Sequence, residues 1–442
     1  MNVSQHERHT LIVGLGVTGL SCVRYLSAQG DLLAVTDTRT QPPALKTLEC
    51  DFPDVAVFPG GFDADAFHCA ERIIVSPGVA MNHPMIVAAQ AQGIEVIGDV
   101  ELFAREVQAP VVAITGSNGK STVTTLLGEM ARVSGCQVQV GGNLGVPVLD
   151  LLADADAELF VLELSSFQLE TLTSLSPRVA VVLNVSPDHL DRYESYAQYC
   201  AVKDKVYQHA QACVVNRDEA RLAVRQSVIS YGLSEPQGND FGLCDREGVE
   251  YLCQGQELWL AVSELRMPGR HNISNALAAL ALGVVVGLQR EAMVQVLRDF
   301  RGLPHRTQWV AECNGVRWFD DSKGTNVGAT RAALQGLDCP LLLIAGGQAK
   351  GADFSPLREV VKNKVRVLLL MGEDAGLIET ALGSVVKVIR VNDMQEAVRC
   401  ANDLAQPGDG VLLSPACASF DMYSGYEERG QDFVTTVRGV LA

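Results

Sequence analysis

Nowhere in this sequence do two cysteines stand as a C-x-x-C pair. Twelve are scattered from Cys22 to Cys417. That pattern excludes the usual zinc spacings and predicts reduced thiols of a cytoplasmic protein, buried as small apolar residues. Positive charge is also scarce: 35 Lys and Arg against 52 Asp and Glu leave a net charge of -17 and a pI near 4.9. Nucleic acids and membrane surfaces are polyanionic and would be repelled, so both are excluded as partners; small anions stay open where local cations hold them. No apolar run approaches the ~20 residues of a membrane helix. The opening MNVSQHERHT has neither the basic start nor the apolar core of a secretory leader. Internal repeats and low-complexity tracts are absent too.

What is present is one unit used repeatedly: a short apolar strand, closed by glycine or polar residues, then a helical stretch. Its strand ends read LIVGLG (Leu11 to Gly16), AITGSNGK (Ala113 to Lys120), FVLELSS (Phe160 to Ser166), VVLNVSPDH (Val181 to His189), LLLIAGG (Leu341 to Gly347), LLLMGED (Leu368 to Asp374) and VLLSPACAS (Val411 to Ser419). Runs this rich in Val, Leu and Ile suit parallel strands buried on both faces, and ligands gather beyond the carboxyl ends of such strands. The fold class is α/β. With about 150 residues per domain, 442 residues make roughly three. Boundaries fall after GIEVI (Gly93 to Ile97) and in RGLPHR (Arg301 to Arg306). This gives a Rossmann-like unit (1–97), a central phosphate-loop unit with a parallel sheet (98–302) and a C-terminal Rossmann-like unit (303–442). The polar stretch from Ser227 to Leu265 reads as an antiparallel flap on the central unit.

The most specific motif is VVAITGSNGKST, Val111 to Thr122. It has the strand, glycines, lysine and hydroxyl pair of a phosphate loop, with only Ser117 and Asn118 between Gly116 and Gly119 where the usual loop carries four residues. Backbone N–H groups from Thr115 to Ser121 are expected to wrap a phosphate, Lys120 to add a mobile cation and Ser121 to bind Mg²⁺. The bland alternative is a glycine-rich turn with an exposed lysine. GLGVTG, with Gly14, Gly16 and Gly19, fits the dinucleotide fingerprint, and Asp37 ends the next strand where a ribose-binding acid belongs. Alone this would mean an NAD-dependent oxidoreductase. A second nucleotide loop in the same chain favours a different nucleotide-bearing ligand, with VSPGV (Val75 to Val79) as the opposite wall.

Glu163 and His189 each sit where an apolar strand ends, and so aim at the phosphate loop. Mg²⁺ prefers oxygen and takes few protein ligands, which suits Glu163 and Ser121 better than His189; a helix cap beside Asp188 is the alternative for His189. Glu170 and Asp191 read as solvated helix charges. In RHNISNALAALALG (Arg270 to Gly283), an amphipathic helix, Asn272 and Asn275 share a face, which suggests adenine binding or capping. DDSKGTN (Asp320 to Asn326), GGQAKGADF (Gly346 to Phe354) and SPACAS (Ser414 to Ser419) are polar strand ends that would line one small-ligand site, or be mere turns.

Together these motifs resemble the Mur ligases of bacterial cell-wall synthesis over essentially the whole chain. The shortened loop matches the family form T-G-x-N-G-K-S/T. LELSSFQLE, the first-unit glycines and SPACASFD resemble the D-glutamate-adding branch, and the DNPR motif of the diaminopimelate-adding branch is absent. The resemblance implies that Val17, Thr18, Asp37, Thr38, Arg39 and Gly78 bind the UDP part of UDP-N-acetylmuramoyl-L-alanine. It implies ATP on Gly116, Ser117, Asn118, Gly119, Lys120, Ser121 and Thr122, with Asn275, Arg306 and Asp321 around adenosine and phosphates. By the same resemblance Asn143 is expected near substrate and γ-phosphate, Ser121 and Glu163 would hold one Mg²⁺, and His189 and a carbamylated Lys203 would hold a second. Thr325, Lys350, Ser419 and Tyr426 would hold D-glutamate. Gln348 departs from the acid common in relatives, and Tyr426 from phenylalanine, which bears on amino-acid affinity. A cytoplasmic monomer is implied. The alternatives are a sibling ligase for another amino acid, the oxidoreductase, and a catalytically dead binding protein.

Overall fold

The computed structural model describes residues 9–189, 192–219, 228–267 and 269–441; Asp191 lies outside them. All the strand ends named above close parallel strands, distributed over three sheets. The first sheet has five parallel strands in the spatial order Ala56–Pro59, Leu33–Asp37, His9–Val13, Ala70–Val75, Glu95–Ile97. The winding reverses beside His9–Val13, so a crevice opens above Gly14 and Ser76, where a doubly wound sheet places its ligand.

The central sheet has nine strands. Val111–Thr115 lies in its parallel part, flanked by Leu159–Glu163 and Val179–Val182. Every residue of these three strands is buried, which is why the sequence there is nearly unbroken Val, Leu and Ile. At one edge Phe241–Arg246, Val249–Gln254 and Glu257–Ala261 run antiparallel, as expected of the flap, but they extend the main sheet and do not form a separate layer. The third sheet has six strands, with Leu341–Gly346 and Gly410–Leu413 central and the antiparallel pair Gln308–Cys313 and Val316–Asp320 at one edge. Among the described residues no helix is long and apolar enough to cross a membrane.

Three expectations are corrected. Cys244 and Cys253 form a disulfide, and only the other ten cysteines are free. Sequence spacing cannot show this, because the hairpin Phe241–Gln254 pairs Cys253 with Gly242 and Cys244 with Tyr251, which sets the two cysteines diagonally across the strands. The helix Arg270–Val286 is not amphipathic: Asn272, Ile273 and everything from Asn275 to Gly283 is buried. It is wedged among the helices Lys120–Val133 and Val327–Gly336 and the central strands, so an apolar stripe would not suffice. Glu170 is not solvated; it pairs with Arg192 at 2.9 Å, and both side chains are largely buried.

Candidate functional site

The phosphate loop follows from its backbone. Gly116 and Gly119 have φ of 150° and 84°, which residues with a Cβ avoid. A Cβ on Gly119 would also collide with Asn275 Oδ1. The helix Lys120–Val133 starts immediately after. Asn184, at the end of the neighbouring strand, grips the loop: its backbone carbonyl accepts from Ser117 N at 2.8 Å, and its side chain accepts from Asn118 N at 2.8 Å and donates to Asn118 O at 2.9 Å. Those two amides are therefore spent on the fold. The donors left for a phosphate are the N–H groups from Gly119 to Thr122 at the helix start, a narrower set than Thr115 to Ser121. Lys120 Nζ is folded back onto Gly116 O and Ser117 O, both at 2.9 Å.

Around this loop stand the metal candidates. Glu163 is buried; Asn143 Nδ2 donates to its Oε1 at 2.7 Å, and its Oε2 has no protein partner. Ser121 Oγ accepts from Arg306 at 2.8 Å. His189 lies edge-on to Phe167, ring centres 4.8 Å apart. Lys203 is buried, donates to Gly116 O at 2.9 Å and sits 4.7 Å from the Tyr199 ring. Burial and the nearby Lys120 hold its amine well below the usual lysine range. No group of three or more His, Cys, Asp and Glu among the described residues is arranged to hold a metal. The orphaned carboxylate oxygen of Glu163 nevertheless suits Mg²⁺, which prefers oxygen, keeps most of its water and takes few protein ligands.

Three clefts open on these elements, the second and third sharing Ser186, Gly328 and Arg331. The first, ≈ 610 Å³, lies in the crevice of the first sheet and is lined by Val17, Thr18, Asp37, Thr38, Arg39 and Gly78, together with Asn143, just past the central-sheet strand Val138–Gly142, and Gln168 of the helix Ser166–Glu170. Asp37 does not offer a free carboxylate there. Its oxygens accept from Leu15 N, Arg39 N and the Arg39 guanidinium at 2.6–2.9 Å. Burial opposes its charge, but these donors outweigh burial and hold the carboxyl below its usual range. With both oxygens occupied, Asp37 presents Arg39 to the cleft and leaves little for a ribose diol, which removes the main support for NAD.

The second cleft, ≈ 300 Å³, joins Asn118, Gly119 and Thr122 to Asn272 and Asn275 of the buried helix and to Arg306, Asp321 and Lys323. Lys323 is a residue the sequence reading missed, although it quoted DDSKGTN. Its Nζ stands 3.6 Å from the centre of the Tyr426 ring, and burial lowers its pKa to about 8. Asp321 accepts from Thr307 N at 3.0 Å and Ser414 Oγ at 2.7 Å, yet burial raises its pKa to about 7. Folded protein thus keeps a proton that unfolded chain releases between pH ~4 and ~7, and this group's contribution to stability falls as pH rises through that window. Asp321→Asn is accordingly expected to gain stability relative to the parent on going from pH 4 to 7. The limiting slope is about 1.4 kcal/mol per pH unit, read by thermal melts of both proteins without nucleotide. A constant difference across the window would refute the shift.

The third cleft, also ≈ 300 Å³, is lined by Asp188, His189, Thr325, Asn326, Gln348, Lys350 and Arg331. Thr325 and Lys350 therefore face it together, whereas Ser419 is buried nearby and does not line it. Tyr426 lies instead against Lys323 and His305. Gln348 turns toward Glu373, its Nε2 donating at 3.2 Å.

Comparison with known proteins follows the same division. Residues 8–98 match the Mur ligase MurD-like N-terminal domain, 114–283 the Mur ligase middle domain, and 305–417 the Mur ligase glutamate ligase domain. A UDP-N-acetylmuramoylalanine--D-glutamate ligase of Nitrosococcus oceani is 52% identical over 439 residues, covering 98% of this chain and 97% of the relative. One from Pseudomonas aeruginosa is 51% identical over 445 residues and 99% of each chain. Among solved structures, a pseudomurein peptide ligase type C from Methanothermus fervidus superposes with a TM-score of 0.65 at 18% identity, over 98% of this chain and 100% of that one. The UDP-N-acetylmuramate-alanine ligase MurC from Thermotoga maritima gives 0.62 at 18%, over 98% and 99%. At that identity the likeness speaks for the fold alone.

Proposed function

The chain belongs to the Mur ligase family, and from that premise we propose that it joins D-glutamate to UDP-N-acetylmuramoyl-L-alanine at the expense of ATP, as a cytoplasmic monomer making peptidoglycan precursor. We place its domain boundaries at 97/98 and 302/303. The observation that carries the reading is that three clefts are lined by the phosphate loop and the elements bonded to it or beside it: the first by Asn143, which holds Glu163 on the neighbouring strand, the second by Asn118 and Gly119 of the loop itself, and the third by Asp188 and His189 of the segment that Ser186 ties to Ser117.

A carboxylate is a poor electrophile, so amide formation in water needs activation. The alanyl carboxylate takes the γ-phosphoryl group of ATP, giving an acyl phosphate and ADP. The amine of D-glutamate then attacks the acyl carbon, and the tetrahedral intermediate expels phosphate. Among the described residues Lys120 donates only to the carbonyls of Gly116 and Ser117 and is available to swing onto the β- and γ-phosphates, while the helix-start amides hold them in place. Asn143, fixed by Glu163, orients the carboxylate end of the sugar substrate. Ser121 with Glu163, and His189 with a carbamylated Lys203, are the groups that would hold two Mg²⁺ ions, which supply the charge neutralisation that lets two anions react. Thr325, Lys350, Ser419 and Tyr426 belong to D-glutamate recognition in this reading, with the two cations Lys350 and Arg331 on its cleft wall suited to a dicarboxylate. Closure of the clefts keeps water from the acyl phosphate.

The test is phosphate release from ATP, Mg²⁺ and UDP-N-acetylmuramoyl-L-alanine, with D-glutamate compared against L-glutamate, L-alanine and diaminopimelate. Release that depends on D-glutamate is expected. Dependence on another amino acid would move the protein within its family, and release with none would defeat the ligase reading.

A further inference from the structure

We infer that Asn326 is a positioning residue that latches the amino-acid end of the molecule onto the phosphate loop, an inference resting on the ligase reading above. Asn326 closes the DDSKGTN segment and is nearly buried. Its Oδ1 accepts from Ala329 N at 2.8 Å and caps the helix Val327–Gly336. Serine, threonine or aspartate would cap as well. What those residues cannot supply is the other half of the carboxamide: Nδ2 donates to Asp188 Oδ2 at 3.1 Å, 138 residues away. The same amide meets that of Asn118 in the phosphate loop head to tail, 3.4 Å in each direction.

The surrounding contacts are equally close. A Cβ on Gly328 would lie 2.7 Å from Ser186 Oγ, so the first turn of this helix rests directly on the Ser186–His189 loop. Ser186 is tied in turn to the phosphate loop: Ser117 Oγ donates to Ser186 O at 3.1 Å, and Ser186 N donates to Ser117 Oγ at 3.0 Å. Helix start, Ser186–His189 loop and phosphate loop thus form one bonded unit. Thr325 and Lys350 line the same cleft as Asn326. An amino acid held there favours the arrangement in which Asn326 fixes Asp188 beside His189 and Asn118 beside the phosphates. By linkage, breaking the latch must weaken use of that amino acid.

Three variants separate the latch from the cap. Asn326→Ser keeps a capping oxygen and loses the reach. Asn326→Asp keeps the cap and sets a carboxylate against Asp188. Asp188→Asn combined with Asn326→Asp restores donor and acceptor with their roles exchanged. For Asn326→Ser, with a thermal midpoint close to the parent's, the KM for D-glutamate is expected to rise about tenfold, as for loss of one hydrogen bond to a charged group. Asn326→Asp should lose more, and the double variant should recover most of that loss. A parental KM in Asn326→Ser, or a double variant no better than Asn326→Asp, would overturn the latch. Small-angle scattering with Mg²⁺ and ADP reads closure without turnover: the radius of gyration should grow in Asn326→Asp and return in the double variant, and an unchanged radius would also overturn it. A parent that releases no phosphate with D-glutamate would instead sink the ligase reading, with the latch still judged by scattering.

Discussion

Lys203→Ala is expected to lower turnover on the order of 10²–10³-fold, and a short carboxylic acid such as propionate to restore part of it. The reason begins with what a buried lysine costs. Lys203 is among the largest fully buried side chains, and its amine has one carbonyl partner, Gly116 O. Desolvation and the like charge of Lys120 both disfavour an ammonium there. Both push Lys203 toward the neutral amine, the form that would add to carbon dioxide in the proposed modification: a C–N bond forms, a proton leaves, and the product is a carbamate anion. Such an anion would reverse the local electrostatics, gaining from Lys120 what the ammonium loses, and in the proposed function it would supply metal-binding oxygens together with His189, where the described residues hold no metal-binding cluster of His, Cys, Asp and Glu. Lys203→Met fills the space without an anion and should be as impaired as alanine, though harder to rescue. Full activity of Lys203→Ala with no acid added would sink the carbamate.

How much of this was legible in sequence depended on the range of the interaction. Strand ends were legible because a strand buried on both faces needs an unbroken apolar run, and the residue that breaks the run is the one at the carboxyl edge. Glu163 and His189 were singled out that way, whereas Lys120 came from the phosphate-loop motif and Thr325 from the family resemblance. The grip of Asn184 on the loop, the closure of Asp37 by Arg39 and the stacking of Lys323 on Tyr426 were not, because each depends on which strand lies beside which. The buried helix Arg270–Val286 misled for the same reason: its alanines leave room for neighbours on every side, and only the assembled domains provide them. The disulfide was lost to register, as nine residues of separation say nothing until the hairpin pairs.

Glu163→Gln should cost about a thousandfold or more in turnover, because it removes the buried carboxylate oxygen that has no protein partner on the strand beside the phosphate loop. The substitution conserves shape. Asn143 Nδ2 would still find an oxygen at 2.7 Å if the new amide turned its carbonyl that way, and that turn points the amide NH2 where the unpartnered Oε2 now sits. A donor at that position repels a cation. Stability should move the other way, since a buried charged oxygen with no protein partner is a burden to the free fold; the thermal midpoint without nucleotide is expected to match or exceed the parent's. The concentration of Mg²⁺ required for half-maximal rate should rise steeply, while binding of the UDP-sugar, which the proposed function assigns to the first cleft lined by Arg39, should stay as before. If Glu163→Gln kept turnover within a few-fold of the parent with the same Mg²⁺ requirement, Glu163 would be only the clamp for Asn143. Loss of activity together with loss of stability would mean that its charge serves the fold. Only the split, a sound protein that no longer responds to the metal, assigns the free oxygen to the reaction.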